Sequence, residues 1–460
     1  MHYDLLVIGG GPGGYAAAVH AAKHGLSVAL IEKDRLGGTC LQRGCVPTKA
    51  YLHASEAAQN ALPFAPNAVA SFDRKAMLIH KDSVVDGLTA GLHALMKANQ
   101  ITVYQGLGTL ETAQAPFLVT VSPAGEGENA QLTATHVLLA TGSVPARLPV
   151  PGAEDTKVWT SDDLLGAAGI APFSSLVIVG GGVIGVEMAC VYARLGVQVT
   201  IVEAEKNCLP MMDKELSRSA EALLKGMGVS LCTGTRLQAI QKTADGFLIC
   251  AEKNGETQSI PCEQTLLATG RKPFINGLFG KDVLPRTERG FLCTDDDFQT
   301  SFPGVYAIGD VNGRMQLAHA AHAQGLAAVS HMLGQPAPIR TDLVPSCVYT
   351  TPEIASVGLT QDDAKAQGIE VICGKALTTQ NARSLIEGLG RGFIKLVFDK
   401  QSQALLGAQL FCGRATDLLG ELTLAIAQGL TAEQLLVPLR AHPTFYEAVT
   451  EAAEAAAHRK

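Results

Sequence analysis

Apolar side chains nowhere run uninterrupted for the ~18 to 20 positions that a membrane span needs, so the 460-residue chain is expected to be soluble. Charge is sparse as well. Asp, Glu, Lys and Arg make up 17% of the residues and sum to −7, with no basic stripe, which argues against nucleic acid as the main partner. No leader is expected, because Met1 is followed almost at once by Tyr3-Asp4-Leu5-Leu6-Val7-Ile8-Gly9, which reads as a buried strand running into a glycine turn. The cytoplasm is the expected compartment. A second Cys/His pair at metal-ligand spacing is also missing, so no metal site is expected. What remains is 47% apolar and carries 48 glycines, a composition for two to four well-packed domains rich in tight turns.

Two of the eleven cysteines are close together, in Gly37-Gly38-Thr39-Cys40-Leu41-Gln42-Arg43-Gly44-Cys45-Val46-Pro47-Thr48-Lys49. The other nine are scattered and read as free, mostly buried thiols of a reducing compartment. A regular helix rises ~1.5 Å per residue and would hold the two backbones roughly 7.5 Å apart, beyond disulfide reach. The chain is therefore expected to bend between them. Gly44 supplies the freedom, and Pro47 suits the first turn of a helix starting near Cys45. A thiol at a helix N-terminus is acidified. A dithiol cycling with a disulfide is the favoured reading; a metal half-site and two buried cysteines are the alternatives.

The pair follows a nucleotide-binding pattern. Leu5–Ile8 runs into Gly9-Gly10-Gly11-Pro12-Gly13-Gly14, with G-x-G-x-x-G at Gly9, Gly11 and Gly14; a helix is expected over Tyr15 to His24, then a strand ending in Glu32. Glycines admit a pyrophosphate, the helix N-terminus faces its charge, and the acid takes ribose hydroxyls. The pattern recurs: Leu176–Val179, then Gly180, Gly182 and Gly185, a helix over Val186 to Leu195, and a strand ending in Glu203. The interval from Gly9 to Glu32 equals that from Gly180 to Glu203, and Leu138–Gly142 is echoed by Leu266–Gly270. Two dinucleotide sites are expected. The first, beside the thiols, suits a fixed two-electron carrier, FAD; the second suits NAD, because Glu203 would repel a 2′-phosphate and no arginine cluster follows it.

Elsewhere, residues 51 to 100 read as mainly helical apart from a connection at 62 to 72, and 101 to 137 as short strands. Gly304–Asp310 reads as a strand delivering an acid at its end. Beyond a Pro-rich passage at 336 to 345, strands near 346 to 349, 354 to 357, 369 to 377, 392 to 398 and 404 to 412 predict an α+β region.

These motifs, with Ala441-His442-Pro443-Thr444-Phe445-Tyr446-Glu447, resemble the flavin-dependent pyridine-nucleotide disulfide oxidoreductases over nearly the whole chain, and within them the dihydrolipoyl dehydrogenases. The resemblance implies an α/β fold of the glutathione-reductase type: two Rossmann-like domains for FAD and NAD plus a C-terminal α+β dimerisation domain. Residues 1–150 and 271–340 would form the FAD-binding domain in two parts, 151–270 the NAD-binding domain, and 341–460 the interface of a homodimer. It also implies roles. Cys40 would be the interchange thiol that meets substrate, and Cys45 the thiol beside the flavin. Lys49 would lie near the flavin's reactive edge, paired with Glu187. Thr39, Thr141, Gly142, Ser143 and Gly108 would be FAD contacts. Asp310 would meet the ribityl chain, Gln316, Leu317, Ala318 and His319 the pyrimidine end, and Gly270 would lie close to NAD. Unaided, His442 reads as a turn residue and Glu447 as a solvated helix residue; the resemblance makes them a base and its orienter, reaching the cysteines of the other subunit.

Three departures stand out. Gln42-Arg43 replaces Asn followed by an apolar residue, where it can alter thiol pKa or acceptor affinity; Thr48 replaces a common Ser; Phe274 stands where Asn is frequent. The implied reaction is oxidation of dihydrolipoamide, carried by a lipoylated acyltransferase of a 2-oxoacid dehydrogenase complex or by the lipoylated carrier of glycine cleavage. Rival readings are a sister reductase acting on glutathione or mercuric ion, and a non-catalytic flavin-binding assembly subunit. Glu203 argues against the NADP-dependent reductases, the cysteine-free tail against a mercuric reductase, and retention of both thiols and His442 against the assembly subunit.

Overall fold

The computed structural model describes residues 1–65 and 72–458; most of the connection expected at 62 to 72 lies outside them. Four strands, Thr102–Gln105, Val28–Glu32, His2–Ile8 and Ala130–Leu139, run parallel in that spatial order. Leu5 to Ile8 and Val28 to Glu32 are buried throughout, because a parallel sheet is covered on both faces. Ala130–Leu139 also starts an antiparallel extension through Phe117–Ser122 to Leu107–Leu110. A distant segment completes this sheet. Val305–Ala307 pairs in parallel with Val137–Leu139, and the chain then turns through a single 3-10 turn, Gly309–Asn312, into the helix Ala318–Met332. The strand read over Gly304–Asp310 is thus shorter than expected, because the chain leaves the sheet at the turn that carries Asp310.

The second unit repeats the plan with Ser230–Thr233, Gln198–Glu203, Ser175–Val179 and Gln264–Leu267 in parallel, beside an antiparallel meander from Arg236 to Cys262. Both glycine-turn helices, Pro12–Lys23 and Val183–Arg194, begin three residues before the sequence suggests. The third glycine of each motif explains this. A Cβ at Gly14 would lie 1.9 Å from the Gly9 carbonyl oxygen, and one at Gly185 would lie 1.9 Å from that of Gly180. Glycine therefore lets the helix start directly beneath the strand end. The two crossings between the units, Ser143–Pro145 and Arg271–Pro273, pair with each other.

The third region is an antiparallel sheet in the order Ser346–Val348, Glu353–Gly358, Leu405–Cys412, Phe393–Asp399, Val371–Leu377. Strand alternation divides its faces. Ile394, Leu396 and Phe398 join one core with the helices Ala415–Ala427 and Glu447–Ala457, whereas Val348, Ile354, Phe393 and Phe411 join the core of the second unit. Among the described residues no helix is long and apolar enough to cross a membrane. Gly374 sets how closely the last helix approaches, since a Cβ there would lie 1.9 Å from the Ala452 carbonyl oxygen. Gly374→Ala is expected to lower stability by about 1–3 kcal/mol, read as a reduced melting temperature of a protein that still folds.

Candidate active site

The bend between the thiols is a helix break. Gly38–Arg43 is one short helix and Cys45–Ala61 the next, with Gly44 at φ −140° and ψ −112° between them. A Cβ at Gly44 would meet the Thr39 carbonyl oxygen at 2.8 Å, so glycine allows the two helices to abut. Both thiols are free, and they are hydrogen-bonded to each other. That bond is the main reason the Cys45 pKa falls to about 7, with the Lys49 ammonium adding to it and burial opposing it. The same bond, together with burial, pushes Cys40 far up. The directions of the two shifts favour the anion at Cys45 over Cys40.

Lys49 stands one helical turn beyond Cys45, on the same face. Its ammonium lies 2.9 and 3.0 Å from the two carboxylate oxygens of Glu187, on the helix Val183–Arg194 of the second unit. Glu187 is 2% exposed, and it also accepts the Tyr349 backbone N–H at 3.0 Å. The Tyr349 ring lies 4.4 Å from the Lys49 ammonium. Three parts of the chain meet here. A buried carboxylate is tolerated because a cation and a backbone donor both satisfy it.

Around this junction opens a cleft of about 1350 Å³. Gly9, Gly11, Glu32, Thr39, Gly108, Thr141, Gly142, Ser143, Asp310, Gln316, Leu317, Ala318 and His319 line it from the first unit. Gly180, Gly182, Glu203 and Gly270 line it from the second, with Cys40, Cys45, Lys49 and Glu187 between. Gly14 and Gly185 do not reach it; they are the packing glycines beneath the two turns. The turns match in detail. Glu32 accepts the backbone N–H groups of Gly10 at 2.7 Å and Asp34 at 2.9 Å; Glu203 accepts those of Gly181 at 2.6 Å and Glu205 at 2.7 Å. Each acid thus braces its own glycine turn as well as facing the cleft, a structural role that its ribose-binding reading omits. Gly9 and Gly180 both have φ +109°, and a Cβ at either would strike a backbone carbonyl within 2.4 Å. Two glycine cradles at helix N-termini, sharing one cleft, fit two dinucleotides.

His442 and Glu447 lie outside the cleft. The His442 Nδ1 is 2.8 Å from Glu447, whose other oxygen accepts the Thr444 backbone N–H at 3.0 Å. These contacts hold the Glu447 carboxyl below its ordinary range, the backbone bond most strongly. The imidazole is oriented, yet 71% of its side chain is exposed, and it does not meet the thiols of its own chain.

Other members of the site carry no signal in the motifs. Arg271 donates from Nε to Ser143 Oγ at 2.7 Å and from Nη2 to the Ser143 carbonyl at 2.8 Å, and lies 3.9 Å from Asp310. Ser143 Oγ in turn donates to Asp310. Asp162 lines the cleft with a carboxyl pushed up by burial, against the pull of Arg271 and Arg43. Arg271 could have been suspected, since it directly follows Gly270; Asp162 and Tyr349 reach the site only through packing. Of the two unusual residues between the thiols, Gln42 points away from the cleft, whereas Arg43 lines it. Gln42 Nε2 donates to the Leu36 carbonyl at 2.6 Å and Thr89 Oγ1 at 2.8 Å, and Arg43 pairs with Asp34. Phe274 lies beneath the Lys33 ammonium, 3.3 Å from the ring centre.

Residues 3–325 match the family model for pyridine nucleotide-disulphide oxidoreductases. The chain belongs to that family. Residues 344–453 match the family's dimerisation domain. The chain is 39% identical to dihydrolipoyl dehydrogenase of Bacillus subtilis over 465 aligned residues, covering 99% of this chain and 98% of the relative. It is 35% identical to leghemoglobin reductase of Glycine max, covering 98% and 87%. Among solved structures, LpdA from Mycobacterium tuberculosis superposes with a TM-score of 0.89 at 28% identity, covering 98% of this chain and 99% of that one. The HOCl-induced flavoprotein disulfide reductase RclA from Escherichia coli does so at 0.86 and 26%, with the same coverage. This protein is an oxidoreductase with the fold of that family, and FAD and NAD are its cofactors.

In the reduced protein, the Cys45 thiolate is expected to persist above about pH 7 and to be protonated as the pH falls through that value. Cys40→Ala and Lys49→Met each remove an acidifying partner and should move this midpoint upward. Ultraviolet thiolate absorbance against pH measures it; an unmoved midpoint in both variants would contradict the geometry.

Proposed function

We propose that this chain oxidises protein-bound dihydrolipoamide and passes the electrons to NAD. The acidified Cys45 within a hydrogen-bonded dithiol, beside Lys49 and its buried partner Glu187 and between two dinucleotide cradles, carries the reading. The dihydrolipoyl dehydrogenases to which the chain is similar along its whole length support it. FAD would be held by the first cradle, with Glu32, Thr141, Asp310 and the Gln316–His319 helix start, and NAD by the second, with Gly180, Glu203 and Gly270. When bound, FAD supplies a two-electron relay between thiol chemistry and hydride chemistry.

The chain's own part is thiol exchange. In the oxidised protein a dihydrolipoyl thiol, its proton taken by a base, attacks Cys40; the Cys40–Cys45 bond breaks and Cys45 leaves as the thiolate. A low thiol pKa makes Cys45 the better leaving group. The second lipoyl thiol then displaces Cys40, closing the lipoyl disulfide and leaving two electrons on the dithiol. Lys49 favours the anion at Cys45. His442, exposed and oriented by Glu447, serves as the base in a homodimer, where it reaches the thiols of the partner subunit. The lipoyl group arrives on an acyltransferase of a 2-oxoacid dehydrogenase complex or on the carrier of glycine cleavage. The fold likeness to the disulfide reductase RclA favours one second reading, a sister reductase running the exchange in reverse.

Anaerobic addition of dihydrolipoamide to the yellow protein, followed by NAD, tests the assignment. Long-wavelength thiolate–flavin absorbance and then stoichiometric NADH are expected; reduction of other disulfides by NADH, with no dihydrolipoamide oxidation, would favour the second reading. Cys45→Ser should abolish the long-wavelength band. His442→Gln should keep the flavin and slow turnover by about 10²–10⁴-fold.

A further inference from the structure

The third-region sheet presents two lysines side by side to the second nucleotide unit. Lys375 and Lys395 are directly opposed on adjacent antiparallel strands, and Lys395 shares a face with Phe393, which packs into the second unit's core. Directly opposed like charges repel, and Lys395 is buried to 8% exposure. Its neighbour on the other side, Gln409, brings no charge; Gln409 Nε2 donates to the Leu359 carbonyl, and its Oε1 has no partner. The neutralising carboxylates come from the second unit. Asp213 lies 2.9 Å and Glu215 3.5 Å from the Lys395 ammonium, and Glu215 also pairs with Lys375.

Asp213 also caps a helix. Its other oxygen accepts the Glu215 backbone N–H at 2.9 Å, at the start of the helix Lys214–Gly226. The residues just before it belong to the cleft. Leu209 donates its backbone N–H to the Gly181 carbonyl at 2.9 Å, within the second glycine turn, and Pro210 and Met211 line the opening. A short run of backbone therefore joins the lysine pair to the turn that takes the nicotinamide nucleotide.

We infer that Lys395, seconded by Lys375, is a positioning residue for NAD: by anchoring Asp213 it holds the segment 208–213 against the second glycine turn. The inference rests on that turn being the NAD site. Lys395→Met in the full-length, FAD-loaded protein tests it, with NAD affinity measured by calorimetry and steady-state constants for both substrates. The dissociation constant and KM for NAD are expected to rise about tenfold, with flavin content and the KM for dihydrolipoamide unchanged, and Lys395→Arg should stay near the unmodified protein. The double variant Lys395→Met, Asp213→Ser removes the orphaned acid but keeps a helix cap; it should recover melting temperature without recovering NAD affinity. A folded Lys395→Met protein that binds NAD normally would overturn the inference, as would a double variant whose NAD affinity returns with its stability. Should Lys395→Met not fold, Glu215→Gln carries the same test, with a smaller loss of NAD affinity expected and none overturning it. Unmodified protein that binds no NAD overturns the site assignment itself, and this inference with it.

Discussion

The Glu187 carboxylate is the point on which the site depends. It is buried, and a buried anion persists only where its lone pairs are met. One oxygen takes Lys49 from the dithiol helix and the Tyr349 backbone from the third-region sheet; the other takes Lys49 again. Satisfying one charge therefore requires three separate parts of the chain in fixed relation. The thiolate one turn away from Lys49 depends on the same contacts, because the cation that favours it is held by both oxygens of Glu187.

Duplication gives the rest of the cleft its form. Two strands end in glycine turns whose packing glycines let a helix begin almost at the strand's end, and two acids close those turns from below. The same local physics yields two cradles, and their surroundings then separate them. The first adjoins the thiols and is joined by Asp310, Ser143 and Arg271 at the crossing between units. The second is tied through Leu209 and Asp213 to the third-region sheet.

Much of this is legible in the chain before it folds. Glycine spacing, the acids at strand ends and the Cys-x4-Cys run predict local backbone geometry, and local geometry follows from a few consecutive residues. Gly44 marks the helix break, and the five third-region strands lie close to where the pattern puts them. The helix starts at Pro12 and Val183 escape the pattern because the third glycine reads as turn punctuation, whereas here it lies inside the first helical turn. Adjacency in sequence groups Gln42 with Arg43 beside the thiols, yet helical geometry sends Gln42 toward Leu36 and Thr89, while Arg43 pairs with Asp34 and stays in the lining of the cleft.

What the sequence alone determined is the local chemistry: two nucleotide turns and an acidifiable dithiol, each encoded within a short stretch, whereas the His442–Glu447 pair came only with the family resemblance. Tertiary structure alone decided which of these act together. Tyr349, Asp162 and Arg271 joined the site through packing between regions, Lys395 found its acids across a domain junction, and His442 was left facing outward. Such choices depend on contacts between residues far apart in the chain, and burial, which sets the strength of every charge involved, exists only once the chain has folded.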